Sequence, residues 1–415
     1  MIGAADLSPV DRKRGINAIM IGQFFVMGGF SMVIPLMAVH YVNNLGWAAA
    51  TIGIILAIRQ FFQQSITAIF GVMSDRIGPK PLLVAGMALR VVSFVALGFS
   101  ESFGAVFLAS LLIGLSGSMF EAPRAAALAA LATPETRQRL FASVGVAGGA
   151  GTAVGTQIGA LLIRSDFLWV CLAGAFAFLC VFVVLQLRLP NFSVVSGPSG
   201  SSSGMSTALH DKVFLIFLVL LAGHWFAWTQ FGLTVTLAAT EISGSESAVA
   251  WIYLVNTAVT IGLGYLLPRY LERWWSSLDL LIHGTAILGI GLFLIGGAGN
   301  IWLVLVAALV FSLGSVISRP GQETVTANLS DPSARGAYFG VAAWSLAVGG
   351  GLGNFLGGAI YDLGHEGNPA VPWIVYGGVA IASSIGLWIM RGPLSAVRGD
   401  RSRPAQATVE TTDGG

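Results

Sequence analysis

The chain has 415 residues, of which 55% are hydrophobic and 10% charged, and its formal net charge is +2. A soluble domain carries about 25% charged residues, so this composition, with a mean hydropathy of +0.81, excludes a soluble globular protein and places the chain in a lipid bilayer. The two cysteines, Cys171 and Cys180, fall on opposite faces of one apolar run, which excludes a local disulfide or metal pair.

In chain order, a basic opening (Arg12, Lys13, Arg14) precedes twelve apolar runs, each near the roughly 20 residues that cross a bilayer. They are 16–42, 50–73, 81–100, 103–122, 140–163, 167–189, 213–240, 249–267, 278–296, 301–318, 338–361 and 372–390. The first is far longer than the core of a signal peptide, about 7–15 residues, and reads as a span. Between the sixth and seventh runs, "SVVSGPSGSSSGMST" has the composition of a flexible linker. The expected organisation is therefore an N-terminal segment (1–15), a six-helix bundle (16–189), a linker (190–212), a second six-helix bundle (213–391) and a disordered tail (392–415). The fold class is all-α integral membrane.

The basic residues set the orientation. With the N-terminus in the cytoplasm, Arg12, Lys13, Arg14, Arg76, Lys80, Arg137, Arg139, Arg188, Lys212, Arg269, Arg273, Arg335, Arg391, Arg398, Arg401 and Arg403 all fall on the cytoplasmic side. Only Arg164 falls outside, while Arg59, Arg90, Arg124 and Arg319 lie within spans or at their ends. The positive-inside rule then predicts both termini in the cytoplasm.

An internal repeat links the halves. "GSMFEAPRAAALAALATPETRQRLFAS" from Gly117 aligns with "GSVISRPGQETVTANLSDPSARGAYFG" from Gly314, matching Pro123 to Pro320 and, after a one-residue shift, Pro134 to Pro332, Arg137 to Arg335 and Phe141 to Phe339. Gly151, Gly155 and Gly159 match Gly349, Gly353 and Gly357. Two duplicated six-span halves are the plan of a rocking-bundle transporter, with its site near mid-membrane between them.

The loop after the second run reads "GVMSDRIGPK". Its Gly71, Asp75, Arg76, Gly78 and Lys80 resemble the G-x-x-x-D-R-x-G-R/K-R/K signature of the major facilitator superfamily, with Pro79 where a base is common. The resemblance implies that Asp75 latches onto the start of span 11 near 337–339, an attraction of about 0.3–1 kcal/mol. Gly151-x-x-x-Gly155-Thr156-x-x-Gly159-Ala160 resembles the G-x-x-x-G-P-x-x-G-G motif of drug antiporters, without its proline; the same spacing also serves ordinary close helix packing. Over nearly its whole length the chain is similar to MdtH-type multidrug efflux proteins, twelve-span drug:proton antiporters. The Arg that the family usually carries on span 4 is replaced by Ser110.

A charge at mid-span costs about 2.5–3.5 kcal/mol on insertion scales and needs a partner or a wet cavity. Arg59 and Gln63 share one helix face and are expected to line the transport cavity. Gln23, Phe24 and Met27 of span 1 and His224, Trp225, Trp228 and Gln230 of span 7 are expected to face it, forming an aromatic wall for amphipathic compounds. Arg90 reads as structural. Glu121 with Arg124, and Glu323 with Arg319, are candidate gating pairs. Glu121 is the first candidate for proton carrier and Glu323 the second, with a static Glu121–Arg124 or Glu121–Arg59 salt bridge as the other reading.

The expectation is a proton-coupled exporter of small molecules; a uniporter or importer of small organic solutes is the alternative. Gly114-Leu115-Ser116-Gly117 matches the G-x-S-G of intramembrane proteases, but no histidine follows at a workable distance. No phosphate-binding loop, cofactor fingerprint, metal cluster or nucleic-acid motif occurs, so no enzyme activity, cofactor or metal is expected. The expected partners are the substrate, protons and the bilayer, with a monomer as the working unit.

Overall fold

A computed structural model describes the backbone at residues 2–3, 7–132, 134–193, 202–330 and 335–394, and side chains at all of these except 2–3, 68, 75, 134–139, 141–142, 202–205 and 335–337. The helices of the first half are α1 (Pro9–Val39), α2 (Ala49–Ile77), α3 (Pro79–Gly98), α4 (Phe103–Leu131), α5 (Pro134–Leu162) and α6 (Phe167–Arg188). A short α7 (Ser202–His210) leads into α8 (Lys212–Thr229), α9 (Thr234–Ser243), α10 (Ser247–Leu263), α11 (Leu266–Leu271), α12 (Ser277–Gly296), α13 (Ile301–Leu329), α14 (Arg335–Glu366) and α15 (Val371–Ile389).

Each of the twelve expected spans is helical. Two are interrupted: a 3-10 turn at Gln230–Gly232 divides span 7 into α8 and α9, and a turn at 264–265 divides span 8 into α10 and α11. Ten helical segments among the described residues are long and apolar enough to cross a bilayer. The other two fall short for local reasons, α10 having 17 residues and α5 being rich in glycine.

Local sequence explains where helices start. Ser8, Asp166, Asp211 and Asn300 each accept a backbone N–H of the first turn they precede, and Ser276 with Asp279 forms a capping box. Between α2 and α3, Gly78 adopts φ +82° and ψ 160°, a conformation open to glycine and costly for other residues. It serves both helices at once, so the turn of the superfamily-like loop is fixed by one residue.

The duplication is structural. α3 and α12 both have 20 residues, α4 and α13 both have 29, and each pair starts 198 positions apart. Packing repeats as well: α1 on α5 and α8 on α14, α3 on α6 and α12 on α15, α2 on α4 and α10 on α13. The halves meet through α2 against α14 and α5 against α10, which the repeat also exchanges.

α4 and α13 run to Leu131 and Leu329, well beyond the apolar stretches that predicted spans ending near 122 and 318. Hydropathy drops at the charges, but the segments that follow still form helix, and Pro123 and Pro320 are carried inside it. The segment expected as a linker is partly ordered. Phe192–Ser193 pairs in parallel with Ile2–Gly3, Phe192 is buried, and α7 docks on α8 and α14 with Ala208 fully buried. The tail beyond 394 lies outside the described residues.

Candidate functional site

The polar stripe of α2 is assembled as its spacing predicts. Arg59 is buried, 6% exposed, and donates to Gln63 Oε1 at 3.1 Å and to Gln60 Oε1 at 3.3 Å. Its guanidinium lies 5.5 Å from the centre of the Phe30 ring of α1, while its Nε is buried without a partner. α4 closes over the stripe through Gly114 and Gly117, where a Cβ would press on the Arg59 carbonyl and the Gln63 side chain, and Ser118 Oγ donates to the Gln63 carbonyl. Ser116 is taken up structurally, accepting from Arg90 Nε at 3.0 Å and donating to the Ile113 carbonyl.

Glu121 is exposed, and no ion pair joins it to Arg124 or Arg59 among the described residues. It lies near enough to act electrostatically on Arg59, Arg90 and Arg124 together. Arg124 packs over Phe120 instead, with its Nε buried and unpartnered. Arg319 and Glu323 form a 3.8 Å ion pair with side chains 79% and 67% exposed, a geometry worth at most about 1 kcal/mol.

The expected aromatic wall is only partly assembled. His224 is buried in the second half, its Nδ1 2.9 Å from Thr285 Oγ1 of α12. Gln230 is fully buried, donating to the carbonyls of Phe226 and Gly353 at 2.8 Å and accepting from Thr234 Oγ1, so it pins the helix break to α14. Gln23 and Met27 pack on Gly148 of α5, and the Phe24 backbone on Gly151. Trp225 and Trp228 remain together, edge to face at 5.4 Å, with Trp228 41% exposed and its indole N–H on Ser315 Oγ of α13.

The glycine series are close-packing faces. A Cβ at Gly151, Gly155 or Gly159 would run into the carbonyls of Phe24, Gly28 or Met32 of α1. Gly349, Gly353 and Gly357 receive Ala222, Phe226 and Gln230 in the same way. In the loop motif, Gly71 lies inside α2 in ordinary contact with Ala122 of α4, Gly78 makes the turn into α3, and Arg76 is exposed, with Lys80 partly so; the Asp75 side chain lies outside the described residues.

Five side-chain hydrogen bonds cross between the halves at the end opposite the N-terminal helix start. Asn43 reaches Thr240 at 3.0 Å, Asn44 reaches Glu246 at 3.1 Å and Gln157 reaches the Ala250 carbonyl at 3.1 Å. The Asp362 carboxylate accepts from the backbone N–H groups of Ala49 and Ala50 at 2.9 and 2.8 Å. Two clefts, of about 460 and 120 Å³, lie away from this contact and from Arg59, one lined by Arg14, Leu187 and Arg188, the other by Ser276, Leu329 and Arg391 among others.

The model of the Major Facilitator Superfamily matches residues 19–278. The chain belongs to the major facilitator superfamily. Among curated relatives of this superfamily member, "Multidrug resistance protein MdtH" of Aeromonas hydrophila is 33% identical over 373 residues, covering 90% of this chain and 94% of its own. The protein of that name from Salmonella typhimurium is 32% identical over 377 residues, covering 91% and 94%. Solved structures share the fold: a POT family transporter in complex with 5-aminolevulinic acid, at TM-score 0.80, 13% identity and coverage of 92% and 97%, and the nucleoside transporter NupG, at 0.74, 15%, 90% and 99%. The protein is thus a multi-pass membrane transporter acting on small molecules, and its family is one of transporters rather than enzymes.

Asp362 was not among the residues singled out from the sequence. The signal was indirect: α2 begins behind Ala48, which offers no capping side chain, so an acceptor had to come from elsewhere in the fold.

Proposed function

We propose that this superfamily member exports amphipathic drugs across the bacterial inner membrane in exchange for protons, alternating between two facing states as a monomer with both termini in the cytoplasm. The observation that carries the reading is the similarity, over nine-tenths of the chain, to proteins named for multidrug resistance. We assign proton carriage to Glu121, the carboxylate whose charge acts on Arg59, Arg90 and Arg124 together. The hydrogen bonds at the end away from the termini, with exposed Arg319 and Glu323, support a resting state closed outside and open to the cytoplasm. Arg59, Gln63, Trp225 and Trp228 are the wall against which the substrate packs, and the pair Arg319–Glu323 is the second proton site or a gate.

The test is reconstitution in liposomes holding a pH-sensitive dye, with an imposed proton gradient and hydrophobic cations or organic acids added in turn. Drug-driven proton movement that disappears in Glu121→Gln is the expected result. Coupling retained in Glu121→Gln moves the proton assignment to Glu323. Exchange of organic acids without any proton movement overturns export and leaves a uniporter that uses Arg59 as its anion contact.

A further inference from the structure

We propose that Asp362 is a latch that holds the outer end of the transporter shut by capping a helix of the opposite half. Both of its carboxylate oxygens are engaged, Oδ1 by the Ala49 N–H and Oδ2 by the Ala50 N–H. These are the first two backbone donors of α2, and donors at that position need an acceptor. The residue that should supply it, Ala48, has none, although its backbone is already extended at φ −61° and ψ 140° as an N-cap requires. A helix in the first half is therefore capped only from the second, by a full negative charge at the positive end of its dipole.

The surroundings serve that contact. Gly53 lies against the Asn354 carbonyl and Gly358 against the Ala49 carbonyl, so the α2 and α14 backbones approach without side chains between them. The end of α14 is itself fixed, because the Tyr361 hydroxyl donates to Glu241 at 2.9 Å and His365 Nε2 lies 3.2 Å from the same carboxylate. The carboxylate is held in place by its own half and spent on the other.

The repeat sharpens the assignment. Moving from α2 and α14 to the equivalent pair, α10 and α5, puts Arg164 where Asp362 stands, 198 positions earlier, and a cation does not cap a helix N-terminus. The outer end thus carries the device on one helix pair. When the halves part there, the Ala49 and Ala50 donors pass to water, and the open state loses the charge–dipole contact.

This inference rests on alternating access and not on the direction of export or on protons. In a Cys171→Ala/Cys180→Ala background, spin labels at L45C and S245C report the outer end, and labels at L187C and Y270C the other end, by pulsed distance measurement in nanodiscs. D362N is expected to raise the ratio of open to closed outer ends roughly tenfold. A48D, at an exposed position, gives α2 a cap of its own. In D362N/A48D the thermal stability is expected to return while the outer end stays open. Outer distances in D362N equal to wild type overturn the latch, as does full recovery of closure by A48D, which would make Asp362 a plain helix cap. A wild-type protein whose two distances never change with added substrate overturns alternating access, and the latch with it.

Discussion

Arg59 shows how a single charge is carried inside a membrane bundle. Two glutamines and a phenylalanine face take the guanidinium, and no carboxylate lies within ion-pair distance among the described residues. Such a cation is held by the amides and the ring face, with the Glu121 charge acting on it from beyond ion-pair distance. R59Q is expected to lower transport by about tenfold or more, as loss of a charged hydrogen bond worth about 1.5–3 kcal/mol implies. R90Q removes the bond to Ser116 and is expected to lower the melting temperature while transport per folded molecule is kept. Flux and thermal melts on the same preparations separate the two. The stripe of α2 was legible because charges and amides one turn apart stand out in an apolar run. The assignment of His224 and Gln230 to the cavity misled, because a polar side chain in a span is satisfied as readily inside its own half, by Thr285 or by Gly353, as in a wet cleft.

Among elements, the glycine faces decide which helices touch. α5 lies on α1 and α14 on α8 so closely that three successive glycines on each have a neighbouring backbone or side chain where their Cβ would stand. Packing of this kind drives association of helices in a medium where apolar burial offers little. G155V is expected to destabilise by about 1–3 kcal/mol, as overpacking does, and to reduce the yield of folded protein. G262A, at a position with nothing within 4 Å, is expected to leave both unchanged. Size-exclusion profiles and thermal melts check the pair. The spacing of these glycines could be read directly from the sequence, and so could the helix starts marked by Ser276 or Asn300. The ends of α4 and α13 could not, because hydropathy locates the apolar layer and helices continue past it.

At the scale of the whole molecule, two six-helix halves meet chiefly on two helix pairs, with α1 also touching α9, and are bonded at one end. If transport requires that end to open, a bridge there must stop it. N43C/T240C, placed on side chains now 3.0 Å apart, is expected to abolish transport under oxidant and to recover it with reductant, measured as drug flux into inverted vesicles. The duplicated plan was legible because prolines and glycines recur at nearly constant offset. The crossing contacts were not, since each joins residues remote in sequence whose types, Asn, Thr, Gln and Asp, are ordinary at a loop edge.

The tie between Phe192–Ser193 and Ile2–Gly3 sets a mechanical bound. With Ser193 moored to the first half and α7 moored to the second, only residues 194–201 span the gap between anchors. A chain of that length reaches at most about 30 Å when drawn straight. The connection between the bundles is therefore short, and if one half swings from the other as proposed, that length bounds the stroke.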